Sequence, residues 1–196
     1  MRRVAPLALL LLLPAGTAAP VPKALKHTQD FYPNALGTRW VYSNEDGTNE
    51  HSREVTVSQT KDGVTEYTVT WKDEARTQVW ELKKDATGVY RTKQDGLAFD
   101  PPHKLLPARV AEGDEWTSEY TFGGRVEYKY KRSIGKPEVV KVPAGEYTAY
   151  PIVSRSLAGL GDLETTLWYA DGVGLVKIQA TGGIPIVLRE YSIGKK

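Results

Sequence analysis

The chain has 196 residues, with 26 Lys and Arg against 24 Asp and Glu, and it contains no cysteine. The lack of cysteine excludes disulfides and thiolate metal sites. Both signs of charge are mixed along the chain, which argues against nucleic-acid binding, because that function requires a concentrated basic surface.

Residues 1–19 are typical of a signal peptide. Arg2 and Arg3 form its positive region, residues 7–13 are apolar, and Gly16 to Ala19 supply small residues for cleavage after Ala18 or Ala19. The apolar run is far shorter than the roughly 20 residues of a membrane helix. Of the 196 residues, removal of 19 leaves 177, with 24 basic and 24 acidic side chains. We expect an exported protein, periplasmic or extracellular, with no stable membrane insertion after cleavage.

The mature chain is predicted to be a linker over residues 20–30 followed by a single β-rich domain over residues 31–196. Its length suits one domain with a substantial core. Thr28 to Pro33 fits either a short helical turn or an extended entry, and the residues leave both alternatives open.

From Trp40 onward, apolar and polar residues alternate in strand-sized pieces separated by Gly, Asp, Asn and Pro. Val64 to Lys72, for example, places Tyr67, Val69 and Trp71 on one face. The pattern repeats to the end of the chain without a convincing amphipathic helix. We therefore predict an all-β fold, a curved antiparallel sheet or half-barrel of about eleven strands with little helix.

The segment Asp100 to Pro107 contains three prolines, which remove backbone donors. We therefore expect it not to be a central strand but to cross between two halves of the domain.

Two later segments carry specific expectations. Arg125 to Ile134 has an aromatic face with Tyr128 and Tyr130, and a charged face, as expected for a sheet with one wet side. The turn Asp171 to Gly174 joins two strands, and we expect positive φ for at least one of its glycines.

Four sets of residues resemble a family of small exported bacterial proteins whose layout is similar to the half-barrels of the lipoprotein carriers LolA and LolB. The resemblance implies a curved antiparallel sheet whose concave aromatic face holds an acyl chain or another apolar ligand. The matching residues are Asp30–Pro33 with Leu36–Tyr42, Leu105–Pro107 with Gly113–Trp116, Val142–Tyr147, and Trp168–Val176.

Catalytic and metal-binding patterns are absent from the sequence. The histidines are His27, His51 and His103, and no nucleophile motif accompanies them. The acidic groups around Glu112 and Asp46 fit solvated turns better than a calcium loop. We expect a protein that is not an enzyme and uses no metal or other cofactor.

Aromatic residues are the remaining candidates for function. They fit two interpretations, a filled sheet core or the lining of a concavity that binds a lipid or another apolar ligand. The first alternative corresponds to a structural or protein-interaction domain of the envelope, the second to a carrier; the oligomeric state stays open. The candidate ligand-binding residues are Trp71, Trp80, Trp116, Tyr128, Tyr130, Trp168 and Tyr169.

Overall fold

A computed structural model describes residues 29–157 and 164–194. The described residues form thirteen strands and no helix, two strands more than predicted, since short strands are hard to separate from loops by pattern alone. The strands are β1 (Arg39–Asn44), β2 (His51–Lys61), β3 (Val64–Lys72), β4 (Thr77–Asp85), β5 (Gly88–Gln94), β6 (Leu97–Pro107), β7 (Glu115–Phe122), β8 (Val126–Ile134), β9 (Glu138–Val142), β10 (Gly145–Ser156), β11 (Glu164–Ala170), β12 (Gly174–Ala180) and β13 (Ile186–Ser192).

The strands form one antiparallel sheet that closes on itself. Strands β1 to β8 pair in order, β8 pairs with β10, and β11, β12 and β13 lead back to β1. Pairing of Ala149–Arg155 in β10 with β11 completes a barrel of twelve strands. The short β9 is an additional strand that pairs with the first half of β10. The predicted all-β fold with a curved antiparallel sheet is confirmed, and the sheet closes instead of stopping as a half-barrel.

Tight turns join the strands as their sequences require. Asp62-Gly63 and Asp95-Gly96 have positive φ at both residues, which a type I′ hairpin turn needs. Gly172 and Gly174 have φ of 73° and 92°, which confirms the expectation of positive φ in the turn between β11 and β12.

The expectation for Asp100 to Pro107 is wrong, because this segment belongs to β6 of the barrel. Pairing of β6 with β5 is interrupted between Ala98 and His103, and pairing with β7 includes only Phe99 and Asp100. Pro101 and Pro102 lie in that interruption, where no ladder hydrogen bond is required of them. Prolines are tolerated at such irregular positions within a sheet.

The segment before β1 packs against the barrel and bends at Phe31 and Tyr32, and its described residues form neither a helix nor a strand. The Phe31 ring meets that of Tyr150 edge to face, with centroids 5.5 Å apart. Asp30 Oδ1 lies 2.6 Å from Lys84 Nζ. These contacts fix the neighbouring Tyr32, whose ring lies 6.5 Å from that of Tyr169.

The predicted signal peptide and most of the predicted linker lie outside the described residues. Within residues 29–157 and 164–194, no helix has the length and apolar character needed to cross a membrane.

Candidate ligand-binding cavity

A cavity of about 240 Å³ lies inside the barrel, lined by side chains from eight strands and from the segment before β1. One part of its wall is aliphatic, formed by Leu105, Ile152, Leu167, Leu175 and Ile178. The rest is aromatic and cationic, formed by Tyr32, Trp80, Tyr169, Arg53, Arg91, His103 and Arg132.

Three arginines reach this cavity from separate parts of the barrel. Arg53 lies on β2, Arg91 on β5 and Arg132 on β8. Arg91 is paired with His103 of β6, and Arg132 with Trp116 of β7. Residues paired across two strands lie on the same face of the sheet, so Arg91 shares a face with His103, and Arg132 shares a face with Trp116.

Arg132 is held by the surrounding protein. Its Nη1 donates to the carbonyl oxygens of Lys104 and Leu105, at 2.8 and 3.3 Å. Its Nε donates to Ser154 Oγ at 3.3 Å, and its Nη2 lies 3.0 Å from His103 Nε2. Since a guanidinium only donates, His103 Nε2 must accept this bond.

Arg53 and Arg91 have fewer hydrogen bonds and lie against an aromatic ring. Their guanidinium carbons are 5.0 and 4.2 Å from the ring centroid of Trp80. Arg91 Nη1 donates to Gln94 Oε1 at 3.2 Å. The Nε atoms of both arginines and Trp80 Nε1 are buried without a protein partner among the described residues. The site therefore has donors that its own residues do not use.

Burial and mutual repulsion shape the protonation of these groups. Burial lowers the pKa of Arg91, with Arg53 acting in the same direction, and burial also lowers the pKa of Arg132. Burial and the charges of Arg132 and Arg91 lower the pKa of His103 to about 2. His103 is therefore neutral, while the arginines keep their charge because the ordinary pKa of a guanidinium is above 12.

Tyr169 lies close to all three cations. Burial, assisted by Tyr32, raises the pKa of the Tyr169 phenol to about 12, against the opposing charges of Arg132, Arg53 and Arg91. The phenol stays protonated at neutral pH and adds a hydroxyl group to the cationic side of the cavity.

No carboxylate oxygen in residues 29–157 and 164–194 lies within 4 Å of these three guanidinium groups. Larger depressions elsewhere differ in this respect. One of about 450 Å³ contains Lys93 and Glu81, paired at 2.9 Å, and one of about 480 Å³ contains Arg76 and Asp73, 3.8 Å apart. The barrel cavity therefore combines an aliphatic wall with unbalanced positive charge.

Solved structures similar to this chain include two from bacteria. A predicted lipoprotein from Parabacteroides distasonis is 17% identical with a TM-score of 0.47, and the match covers 83% of this chain and 98% of the other. A predicted exported protein with a YmcC-like fold from Bacteroides fragilis is 16% identical with a TM-score of 0.48, and the coverage is the same. No family model matches the chain, and no curated protein matches it in sequence. Similarity at this level says nothing about a ligand, which has to be inferred from the cavity.

The structure brings only some of the seven predicted site residues to this cavity. Trp80 and Tyr169 line it, and the Trp116 ring lies 5.9 Å from the guanidinium carbon of Arg132. Tyr128 and Tyr130 are half-buried and stack with Tyr120 further along the inner face of β7 and β8.

The other two predicted residues lie apart from the cavity. Trp71 packs on His51, with centroids 5.3 Å apart, and lines the depression that contains Asp73. Trp168 is on the opposite face of β11 from Tyr169, where its Nε1 donates to Glu138 Oε1 at 2.5 Å. Neighbouring residues of one strand point to opposite faces, so both cannot line one cavity.

Sequence reasoning missed the three arginines and His103. A signal was present in β8, where Arg132 has the same parity as Tyr128, Tyr130 and Ile134 and so lies on the apolar face of the strand. A charged residue on the buried face of an alternating strand is therefore the pattern to search for in such a chain.

Proposed function

We propose that this protein is an exported, non-catalytic binding or carrier module that holds a ligand with an apolar body inside its barrel. The observation that carries the proposal is the cavity of about 240 Å³ inside the barrel, with its aliphatic wall. A single water needs only about 10–15 Å³ of such space, so the cavity has room for an organic group.

Two features support the remaining parts of the proposal. The predicted signal peptide supports export to the periplasm or beyond. His103 is a poor general base, because its pKa is lowered and its Nε2 accepts a hydrogen bond from Arg132. The apolar cargo is the one that the resemblance to LolA and LolB implies.

Native mass spectrometry of the protein purified from its own envelope tests the proposal. We expect an added mass that corresponds to a bound lipid or similar molecule, and saturable uptake of a fluorescent fatty acid by the emptied protein. A bare mass together with no uptake would instead favour the structural or protein-interaction domain.

A pair of variants locates the uptake. Leu167→Phe adds volume at the cavity wall and should weaken probe uptake, because the added ring occupies the space of the ligand. Val79→Phe adds the same kind of ring at an exposed position, where Val79 is 41% exposed, and should leave uptake unchanged. Equal uptake by both variants would place the probe outside the barrel.

A further inference from the structure

We infer that the ligand of this cavity is an acidic amphiphile, whose carboxylate or phosphate oxygens are bound by Arg53, Arg91 and Arg132. The inference rests on the binding function proposed above and adds the chemical class of the ligand. Its apolar body would lie against the aliphatic wall formed by Leu167, Leu175 and Ile178.

The first argument is the charge of the site. Three guanidinium groups line one cavity inside the barrel, and none has a carboxylate within 4 Å among the described residues. The nearby Asp30 is already paired with Lys84 at 2.6 Å. A buried charge without a counter-charge is strongly unfavourable, and a guanidinium cannot escape that cost by losing its proton. A bound anion supplies the missing counter-charge.

The second argument is the presence of unused donors. The Nε atoms of Arg53 and Arg91 are buried and have no hydrogen-bond partner in the part of the chain that the structure describes. Native proteins rarely leave buried donors unpaired, and such groups point to a missing partner. Carboxylate and phosphate oxygens match the planar fork of a guanidinium and accept two bonds from it.

The third argument is that the cationic groups are held in place before a ligand arrives. Arg132 is fixed by bonds to Lys104, Leu105, Ser154 and His103. Arg53 and Arg91 both lie on the ring of Trp80. A site that is already arranged loses less entropy when it binds.

The amphiphilic character follows from the opposite wall of the same cavity. A free inorganic anion would leave the aliphatic side chains of Leu167, Leu175 and Ile178 without a partner. A molecule with an apolar chain and an acidic head contacts both parts of the wall at once.

The test compares probes with one tail and different heads on the mature, full-length protein. Dodecanoate, dodecyl phosphate, dodecanol and dodecylammonium are titrated below their micelle concentrations. We expect at least one acid to bind about 10- to 100-fold more tightly than the alcohol, the range for hydrogen bonds to charged groups. The cation should bind most weakly, and the tighter of the two acids identifies the head group.

Variants then assign the preference to the cavity. Arg91→Gln should reduce the affinity for the preferred acid about 10- to 100-fold and leave dodecanol binding unchanged. Arg155→Gln is the matched control, since this exposed arginine pairs with Glu164 on the surface and should not affect either probe.

The outcomes separate the inference from the proposed function. Equal binding of both acids and the alcohol would overturn the acidic head and keep the carrier. Failure of all four probes to bind would overturn the binding function itself. An acid preference that Arg91→Gln does not reduce would also overturn the assignment to this cavity. The comparison of head groups uses the unaltered protein, so it does not depend on the folding of a variant.

Discussion

Arg91 and Arg132 have the same side chain and line the same cavity, but the protein supports them differently. Arg132 donates hydrogen bonds to four other residues. Arg91 donates one, to Gln94, and otherwise lies on the ring of Trp80. Removing the two charges should therefore affect the empty protein in opposite directions.

We predict that Arg91→Met stabilises the empty protein by a net of about 1–2 kcal/mol, because replacing a buried charge that has no acidic partner by an apolar side chain gains about 1–4 kcal/mol. Loss of the contact with Trp80 opposes this gain by about 0.5–2 kcal/mol. Denaturant unfolding of the emptied protein measures the free energy of unfolding.

Arg132→Met is the matched comparison and should destabilise the protein, because it leaves the Ser154 hydroxyl and two carbonyl groups without their donor. If both variants lose stability to the same extent, the charge on Arg91 is compensated in the empty protein and the argument for a missing anion fails.

His103 and His51 predict a dependence of stability on pH. Burial, with the charges of nearby arginines, lowers the pKa of His103 to about 2 and that of His51 to about 4, from an ordinary value of 6.5. Below pH 6.5 the unfolded chain therefore binds protons that the folded protein does not. As the pH decreases below 6.5, the free energy of unfolding should therefore decrease, by up to about 1.4 kcal/mol per pH unit for each histidine.

His103→Gln tests this prediction, since Gln does not titrate and its carbonyl can still accept from Arg132. Between pH 6 and pH 4.5 the variant should lose about half of the slope, and His51→Gln should do the same. An unchanged slope in His103→Gln would show that the imidazole is not kept neutral by the barrel.

At the scale of single elements, the turn between β11 and β12 packs against β1, β13 and the segment before β1, where the Gly172 N–H donates to the Asp30 carbonyl oxygen at 2.9 Å. Trp40 Nε1 donates to the Val173 carbonyl oxygen at 2.7 Å, and Tyr191 Oη donates to that of Gly172 at 2.7 Å. Gly174 has φ of 92°, and a Cβ there would lie 3.3 Å from Pro33 Cδ. The turn thus needs both the backbone freedom and the small size of glycine.

We predict that Gly174→Ala destabilises the protein by about 1–3 kcal/mol, the cost of placing an ordinary residue in the left-handed region. Gly183→Ala is the control, because a Cβ at that position meets only ordinary contacts, at 3.5 Å or more from Ala180. Thermal unfolding of both variants measures the difference, and equal melting temperatures would contradict the prediction.

The strands themselves were predictable because their signals are local. Strand β3, for example, has in the structure the same bounds, Val64–Lys72, that the alternation of apolar and polar residues predicts. The proline-containing part of β6 was not predictable. The sheet tolerates Pro101 and Pro102 only because the pairing of β6 with β5 and β7 is interrupted around them. Such gaps arise from neighbours distant in sequence, and the segment alone does not reveal them.

At the scale of the whole molecule, closure of the sheet brings together residues that no local pattern associates. Arg53, Arg91 and Arg132 are far apart in sequence and line one cavity because the sheet that holds them curls into a barrel. Aromatic residues such as Trp80 and Tyr169 could be selected from composition. The cationic side of the cavity as a whole could not, because the position of Arg132 on the apolar face of its strand is a local signal, but which strands bring their inner faces to one cavity depends on the closed barrel.

The one strand outside the closed barrel should behave differently from the rest. Strand β9 pairs with β10 along one side, and Val139 is 60% exposed. We predict faster amide hydrogen exchange for β9 than for β3, which has paired neighbours on both sides. Equal protection of the two strands in a hydrogen-exchange experiment would show that β9 has a second pairing partner.

The pairing of β1 with β13 also determines when the chain can complete its fold. Arg39 is opposite Ser192, and the backbone N–H of Gly194 donates to Thr38 Oγ1 across 156 positions of sequence. Contacts between residues so far apart form slowly, and folds dominated by them take on the order of milliseconds to seconds. When such a chain leaves a translocation channel N-terminus first, β1 can pair early with β2 but lacks its other neighbour, β13, until the last strand emerges, so the barrel closes only after the whole chain has crossed.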